Sequence, residues 1–209
     1  MPLLEVCVES IARLREAQSK GAGRIELCSR LDLGGLSPGR ALLGEALAIA
    51  RVPVHAMVRP RGGDFAYSAA EFARMERDIE EAKGLGAAAV VLGILATDRR
   101  VDVPRTKALV LAARPMSVTF HRAFDEVADP FGALEELIEA GVGRVLTAGG
   151  RGSAFDGRRA IRALLERARG RIVVMAGGGI RAGNVGEILA ESGVSEVHSS
   201  AIFPLPDVR

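Results

Sequence analysis

The chain has 209 residues and a mass of 22.0 kDa, enough for one large core, and no Ser/Pro-rich linker or charge run divides it, so one domain is expected. Hydrophobic residues make up 48% and aromatic residues only 4%, with no Trp, which points to an aliphatic core and away from base stacking. A net charge of +2 with arginines dispersed through the predicted helices argues against a nucleic-acid surface, and no apolar run reaches the roughly 20 residues of a membrane span.

The first strand starts close behind Met1, without space for a charged-then-apolar leader, so a cytoplasmic location is expected. In that reducing compartment Cys7 and Cys28 are expected as free thiols, available as ligands.

Residues 3 to 8 read as a strand, followed by a helix from the N-cap Ser10 to Lys20. Gly21 stops that helix before a short strand ending at Cys28, and Leu33-Gly34-Gly35-Leu36 is a loop. Ser37-Pro38 is read as a cap with Pro at the first helical position, opening a helix that ends near Arg51. Val54 to Arg59 is the third strand, broken at Pro60. Ser68 caps a charged helix to about Gly84, and Ala89 to Gly93 is the fourth strand. A helix from Val103 to Arg114, a strand from Met116 to His121, a helix from Asp129-Pro130 to Gly141 and a strand from Arg144 to Thr147 continue the alternation. Residues 154 to 169 are helical, Ile172 to Met175 extended, Ala176 to Gly179 a loop, Asn184 to Glu191 helical and Glu196 to His198 the eighth strand.

Strands alternating with helices imply a parallel sheet with right-handed crossovers. Gly-small helix ends recur before strands two, four, six and eight, at Gly21, Gly86, Gly141 and Gly193. Such a regular array favours a closed (β/α)8 TIM barrel over an open sheet, which needs a switch point. Little chain follows strand eight, so the final helix is read as missing or reduced, with an apolar gap that a second copy of the chain would cover in a homodimer.

Period-two phasing turns Glu5 and Cys7, Glu26 and Cys28, His55, Met57 and Arg59, Thr119 and His121, Thr147, and Glu196 and His198 inward. The outward set is apolar: Leu4, Val6, Val8, Ile25, Leu27, Val54, Ala56, Val58, Val118 and Phe120. Barrel interiors are ordinarily aliphatic, so this many polar groups implies mutual pairing, a ligand, or both. Cys7 and Cys28 end neighbouring strands and can share a soft ion, or serve as small buried hydrophobes. The three histidines suit acid-base or ligand roles, or fill a polar interior by hydrogen bonding. Gly178-Gly179 after strand seven and Ser199 after strand eight lie where barrels bind phosphate, or form a tight turn. Arg59 is read as contacting a ligand, and Arg61 as pairing with Asp64.

Several stretches carry a resemblance: Leu4-Glu5-Val6-Cys7-Val8, Arg24-Ile25-Glu26-Leu27-Cys28, Val58-Arg59-Pro60-Arg61-Gly62-Gly63-Asp64-Phe65, Thr119-Phe120-His121-Arg122-Ala123-Phe124-Asp125 and Glu196-Val197-His198. Together they resemble the CutC family, named for copper homeostasis. The resemblance implies a barrel, a cytoplasmic location and a role in copper handling, with Cys7 and Cys28 as Cu(I) ligands.

Two functions from different classes remain open. One is a Cu(I)-binding homeostasis protein with Cys7 and Cys28 as ligands and Glu5, Glu26 and His55 as nearby donors. The other is a barrel enzyme acting on a small anionic or phosphorylated metabolite. There Arg59, Gly178, Gly179, Ser199 and His198 hold the anion while Glu5, Glu26, His55 or His121 move protons.

Overall fold

Eight short parallel strands are built from the β-branched and aliphatic runs of the sequence. They are Leu3–Val8 (β1), Arg24–Leu27 (β2), Val54–Met57 (β3), Ala89–Leu92 (β4), Ser117–Phe120 (β5), Arg144–Thr147 (β6), Val173–Gly177 (β7) and Glu196–Ser199 (β8). In the computed structural model, which describes residues 2–205, each strand pairs with the next and β8 closes onto β1. The seven helices among the described residues are Ile11–Ser19 (α1), Arg40–Ile49 (α2), Ala69–Leu85 (α3), Val103–Ala113 (α4), Pro130–Glu139 (α5), Ala154–Ala168 (α6) and Val185–Ser192 (α7). This is the expected (β/α)8 barrel, and its right-handed crossovers place the helices outside the strands.

Local chemistry sets the helix starts. Ser10, Ser68, Asp102, Asp129 and Ser153 each accept a bond from a first-turn backbone N–H, and Ser68 forms a reciprocal capping box with Glu71. Each such cap stabilises its helix by about 1 kcal/mol. The Ser37-Pro38 reading is corrected: α2 begins at Arg40 after Gly39. The Ser37 hydroxyl instead donates to Asp78 (2.6 Å) and accepts from the Arg59 amide (3.0 Å), a tertiary demand that outweighs its capping propensity. Left-handed glycines end the helices before β2, β4, β6 and β8, as the repeat implies, but Gly170 before β7 is left-handed too. The alternation in sequence is therefore not an alternation in backbone geometry.

The core divides into two parts. Every residue read as outward, from Leu4 on β1 to Phe120 on β5, lies in the large apolar layer between strands and helices. A separate small cluster of Cys7, Cys28, Met57 and Val91 sits inside the barrel. Beyond β8 no helix follows among the described residues. Phe203 is buried there, and Ile202 and Leu205 pack against the same apolar layer. The last four residues, on which part of the final-helix expectation falls, lie outside the described residues.

Candidate metal centre and ligand cavity

Strand register builds the interior in layers. Glu5 of β1 lies opposite Arg24 of β2 on one side and His198 of β8 on the other. Two residues further along, Cys7 lies opposite Glu26, and Glu26 opposite His55. Carboxylates, cations and imidazoles are thereby forced into one another's reach.

The lower layer is an ion-pair network. Arg24 donates through Nε to Glu5 Oε2 (2.5 Å) and through Nη2 to Glu196 Oε2 (2.5 Å). Arg144 forks onto Glu196 with bonds of 2.6 and 3.0 Å and reaches Thr119 Oγ1 at 3.4 Å. Burying charges without partners would cost several kcal/mol each, so the sequence must supply both signs here, and it does. Arg24 and Arg144 are the members that sequence phasing did not single out. Arg24 sits two residues before Glu26 and its inward phase was therefore readable. Arg144 was hidden because Thr147 was phased inward on β6. The structure corrects this: Arg144 and Leu146 face inward, while the Thr147 hydroxyl donates to Asp125 Oδ1 at 2.5 Å.

The upper layer carries the reactive groups. Cys7 and Cys28 are free and buried, with their sulfurs 3.4 Å apart. One donor atom each from Cys7, Glu26 and His198 fall within 4.8 Å of one another. His198 Nδ1 bonds Glu5 Oε1 at 2.8 Å, which leaves Nε2 directed toward Glu26, whose Oε1 is 3.9 Å away. Glu26 Oε2 is buried without a hydrogen-bond partner.

Electrostatics follow from these contacts. Burial pushes the Glu5 carboxyl up, but the His198 hydrogen bond and the charges of His198, Arg24 and His55 outweigh it and hold it at about 2. His198 experiences the converse: burial lowers its pKa, yet Glu26 and Glu5 together leave it above its ordinary value. Burial raises Glu26. The Cys7 thiol lies well above its ordinary value because of its bond to Cys28, its burial and the nearby Glu26. His55, buried and only 3.4 Å from Glu5 Oε2 without a hydrogen bond, is lowered by desolvation to about 4.

A cavity of about 300 Å³ opens above this layer at the carboxyl ends of the strands, with Cys7, Glu26, His121, Gly178, Gly179 and His198 in its lining. That is the end of the barrel where ligand sites are built, at the lower limit of ordinary small-molecule pocket size. His121 accepts the Ala123 amide at Nδ1 (3.2 Å), so in the neutral ring the proton lies on Nε2, which is buried without a partner. Burial, reinforced by the Arg59 charge, lowers His121 to about 3. Gly93 makes room for this ring, since a Cβ there would run into the imidazole.

The remaining predicted residues divide between lining and scaffolding. Arg59 lines the cavity but donates to the Leu33, Gly35 and Gly63 carbonyls at 3.0, 3.4 and 2.9 Å while lying over Phe65, so it fastens two loops together. Arg61 pairs with Asp64 at 2.8 Å and with Glu71 at 2.6 Å. Ser199 lines the rim, where its hydroxyl donates to the Ile180 carbonyl (2.7 Å) and accepts from Ala201 (2.9 Å). Cys28 and His55 do not line the cavity. Asp125, part of the motif run but given no role from sequence, gathers the Thr147 hydroxyl and the Ala148 and Gly150 amides.

Comparison with known proteins places this arrangement. The model of the CutC family matches residues 2–203, essentially the whole barrel. The chain belongs to the CutC family. It is 47% identical over 199 residues to a CutC family protein of Chromobacterium violaceum, covering 95% of this chain and 81% of that protein. It is 48% identical over 199 residues to the human protein named copper homeostasis protein cutC homolog, covering 95% of this chain and 73% of the relative. A Streptococcus agalactiae crystal structure that bears the CutC name superimposes with a TM-score of 0.92 at 34% identity, over 97% of this chain and 100% of the other. The CutC barrel is thus shared over its full circuit. No helix of the described residues is long and apolar enough to cross a membrane.

Proposed function

We propose that the protein serves copper homeostasis in the cytoplasm by holding Cu(I) at Cys7 and Cys28, with His198 as a third donor and Glu26 beside them. The observation that carries this reading is the pair of free, buried sulfurs 3.4 Å apart, with the Glu26 and His198 donors converging on one of them. Thiolate and imidazole are the donors a soft monovalent copper ion prefers. The Glu5 carboxylate on His198 Nδ1 is the outer support that metal-bound imidazoles commonly have, and it turns Nε2 toward the thiols. The orphaned Glu26 oxygen fits a site that gains a positive charge when loaded.

Cys7 and His198 both hold their protons firmly in the metal-free protein, so loading must release protons and weaken as pH falls. The test is an anaerobic titration of reduced protein with Cu(I) against a competing chelator. One tightly held ion per chain is expected, with apparent affinity rising from pH 6 to pH 8. Cys7→Ser and Cys28→Ser are each expected to weaken binding at least tenfold. A Cys7→Ser/Cys28→Ser double variant that binds as tightly as the parent overturns the reading.

A further inference from the structure

The cavity has a second half that the thiol site does not use. Opposite β1 and β2 its wall comes from the β5 end and the β7–α7 loop, including His121, Arg122, Gly178, Gly179 and Arg181. Gly178 and Gly179 take positive φ in succession, 112° and 71°, and among the described residues neither amide donates to a backbone or side-chain acceptor. A Cβ on Gly178 would lie 3.2 Å from the Arg122 guanidinium, so the absent side chain lets that cation sit against the loop. Arg122 itself is tied through Nε to Asp125 at 2.8 Å. Arg181 is exposed and has no carboxylate partner among the described residues.

Adjacent glycine amides and two guanidinium groups form an anion cradle. Glu26 is the one carboxylate among the lining residues, against Arg59, Arg122 and Arg181, so the cavity's field favours a negative ligand. A terminal phosphoryl group, with three acceptor oxygens and up to two negative charges, uses more of these spread donors than a carboxylate, which has about four acceptor sites and one charge. An independent feature lies in the same wall: the Nε2–H of His121, a lining residue only 5% exposed, is buried and has no acceptor. Leaving such a donor unpaired is costly, and a ligand oxygen removes the cost. We propose that this half of the cavity binds a small phosphorylated metabolite, its phosphoryl group on the Gly178 and Gly179 amides and Arg181, and a hydroxyl or carbonyl oxygen of its body on His121 Nε2–H. The volume of about 300 Å³ limits the ligand to a few carbons beyond the phosphate.

The test uses reduced, metal-free protein, so that its outcome does not depend on copper. Inorganic phosphate, glycerol 3-phosphate and glycerol are titrated while NMR follows the Gly178 and Gly179 amides and the His121 ring. Glycerol 3-phosphate is expected to shift both amides and the ring saturably. Inorganic phosphate should shift the amides alone and bind at least tenfold more weakly, and glycerol should shift neither. Arg181→Ala, a surface change whose folding is checked by the unaltered remainder of the spectrum, should weaken both phosphates at least fivefold. No saturable amide shift with either phosphate, unchanged binding by the Arg181→Ala variant, or a His121 ring silent to glycerol 3-phosphate overturns the proposal.

Discussion

Replacing Glu5 by Gln tests whether the buried network is held by charge or by shape. The side chain is fully buried and binds Arg24 and His198 at 2.5 and 2.8 Å. Glutamine keeps the volume but turns one acceptor into a donor facing donors. Arg24 retains Glu196, so the loss is partial. A carboxyl held at about 2 instead of its ordinary 4.5 carries roughly 3 kcal/mol of stability at neutral pH. Breaking one partner of a buried pair typically costs about 3–5 kcal/mol, which agrees.

The sign follows from the direction of the shift. The folded protein keeps Glu5 ionised more readily than the unfolded chain, so this contribution is complete above pH 4.5 and disappears as pH falls toward 2. Urea denaturation of parent and Glu5→Gln proteins should therefore differ by about 3 kcal/mol at pH 7, narrowing to about 1 kcal/mol at pH 3. In parallel the His198 imidazole, which Glu5 helps hold above its ordinary pKa, should titrate lower in the variant by NMR. A deficit below about 1 kcal/mol at pH 7, or one that does not narrow in acid, refutes the charge account.

Three further outcomes follow from the packing. Arg59→Lys cannot span the Leu33, Gly35 and Gly63 carbonyls with one ammonium, and a loss of about 1–3 kcal/mol is expected, with faster hydrogen exchange in both loops; unchanged stability and exchange would refute the anchoring role. Gly93→Ala sets a methyl group against the His121 ring and the Ala123 side chain, and should cost about 1–3 kcal/mol. Gly152→Ala, where nothing lies within 4 Å of the added carbon, should stay within about 0.5 kcal/mol of the parent in the same denaturation assay.

The barrel was legible in the sequence because its apolar residues obey two periods at once. Alternation along β1, β2, β3 and β5 placed Leu4, Ile25, Val54 and Val118 in the outer layer, where they lie. β6 lacks that alternation, because adjacent Val145 and Leu146 are apolar in both phases, and the consequence shows at Thr147. Ser37-Pro38 failed for another reason: a capping preference of about 1 kcal/mol was outweighed by tertiary bonds to Arg59 and Asp78. At the candidate site, the residues could be named as types on strands, but pairings such as Cys7 with Glu26 or Glu5 with His198 depend on the stagger between strands. Stagger has no local signal in any single strand.

Hydrogen-bond satisfaction then separates scaffold from site within one polar interior. Glu5, Arg24, Arg144 and Glu196 are consumed by one another, and with them the lower barrel is a closed electrostatic plug. Among the unmatched buried atoms, Glu26 Oε2 lies beside the thiols and His121 Nε2 across the cavity, while His55 Nδ1 beside Glu5 and Arg59 Nε are unmatched within the scaffold. The first two differ in kind, one an acceptor that suits a cation and the other a donor that suits a ligand oxygen. A single ion at Cys7 and Cys28 satisfies the first and leaves the second unpaired, while a phosphorylated ligand on the β7–α7 loop does the reverse. The two occupants are therefore complementary in charge and separate in the groups they need. Copper loading and phosphate binding should accordingly be lost independently, the first in Cys7→Ser and the second in Arg181→Ala.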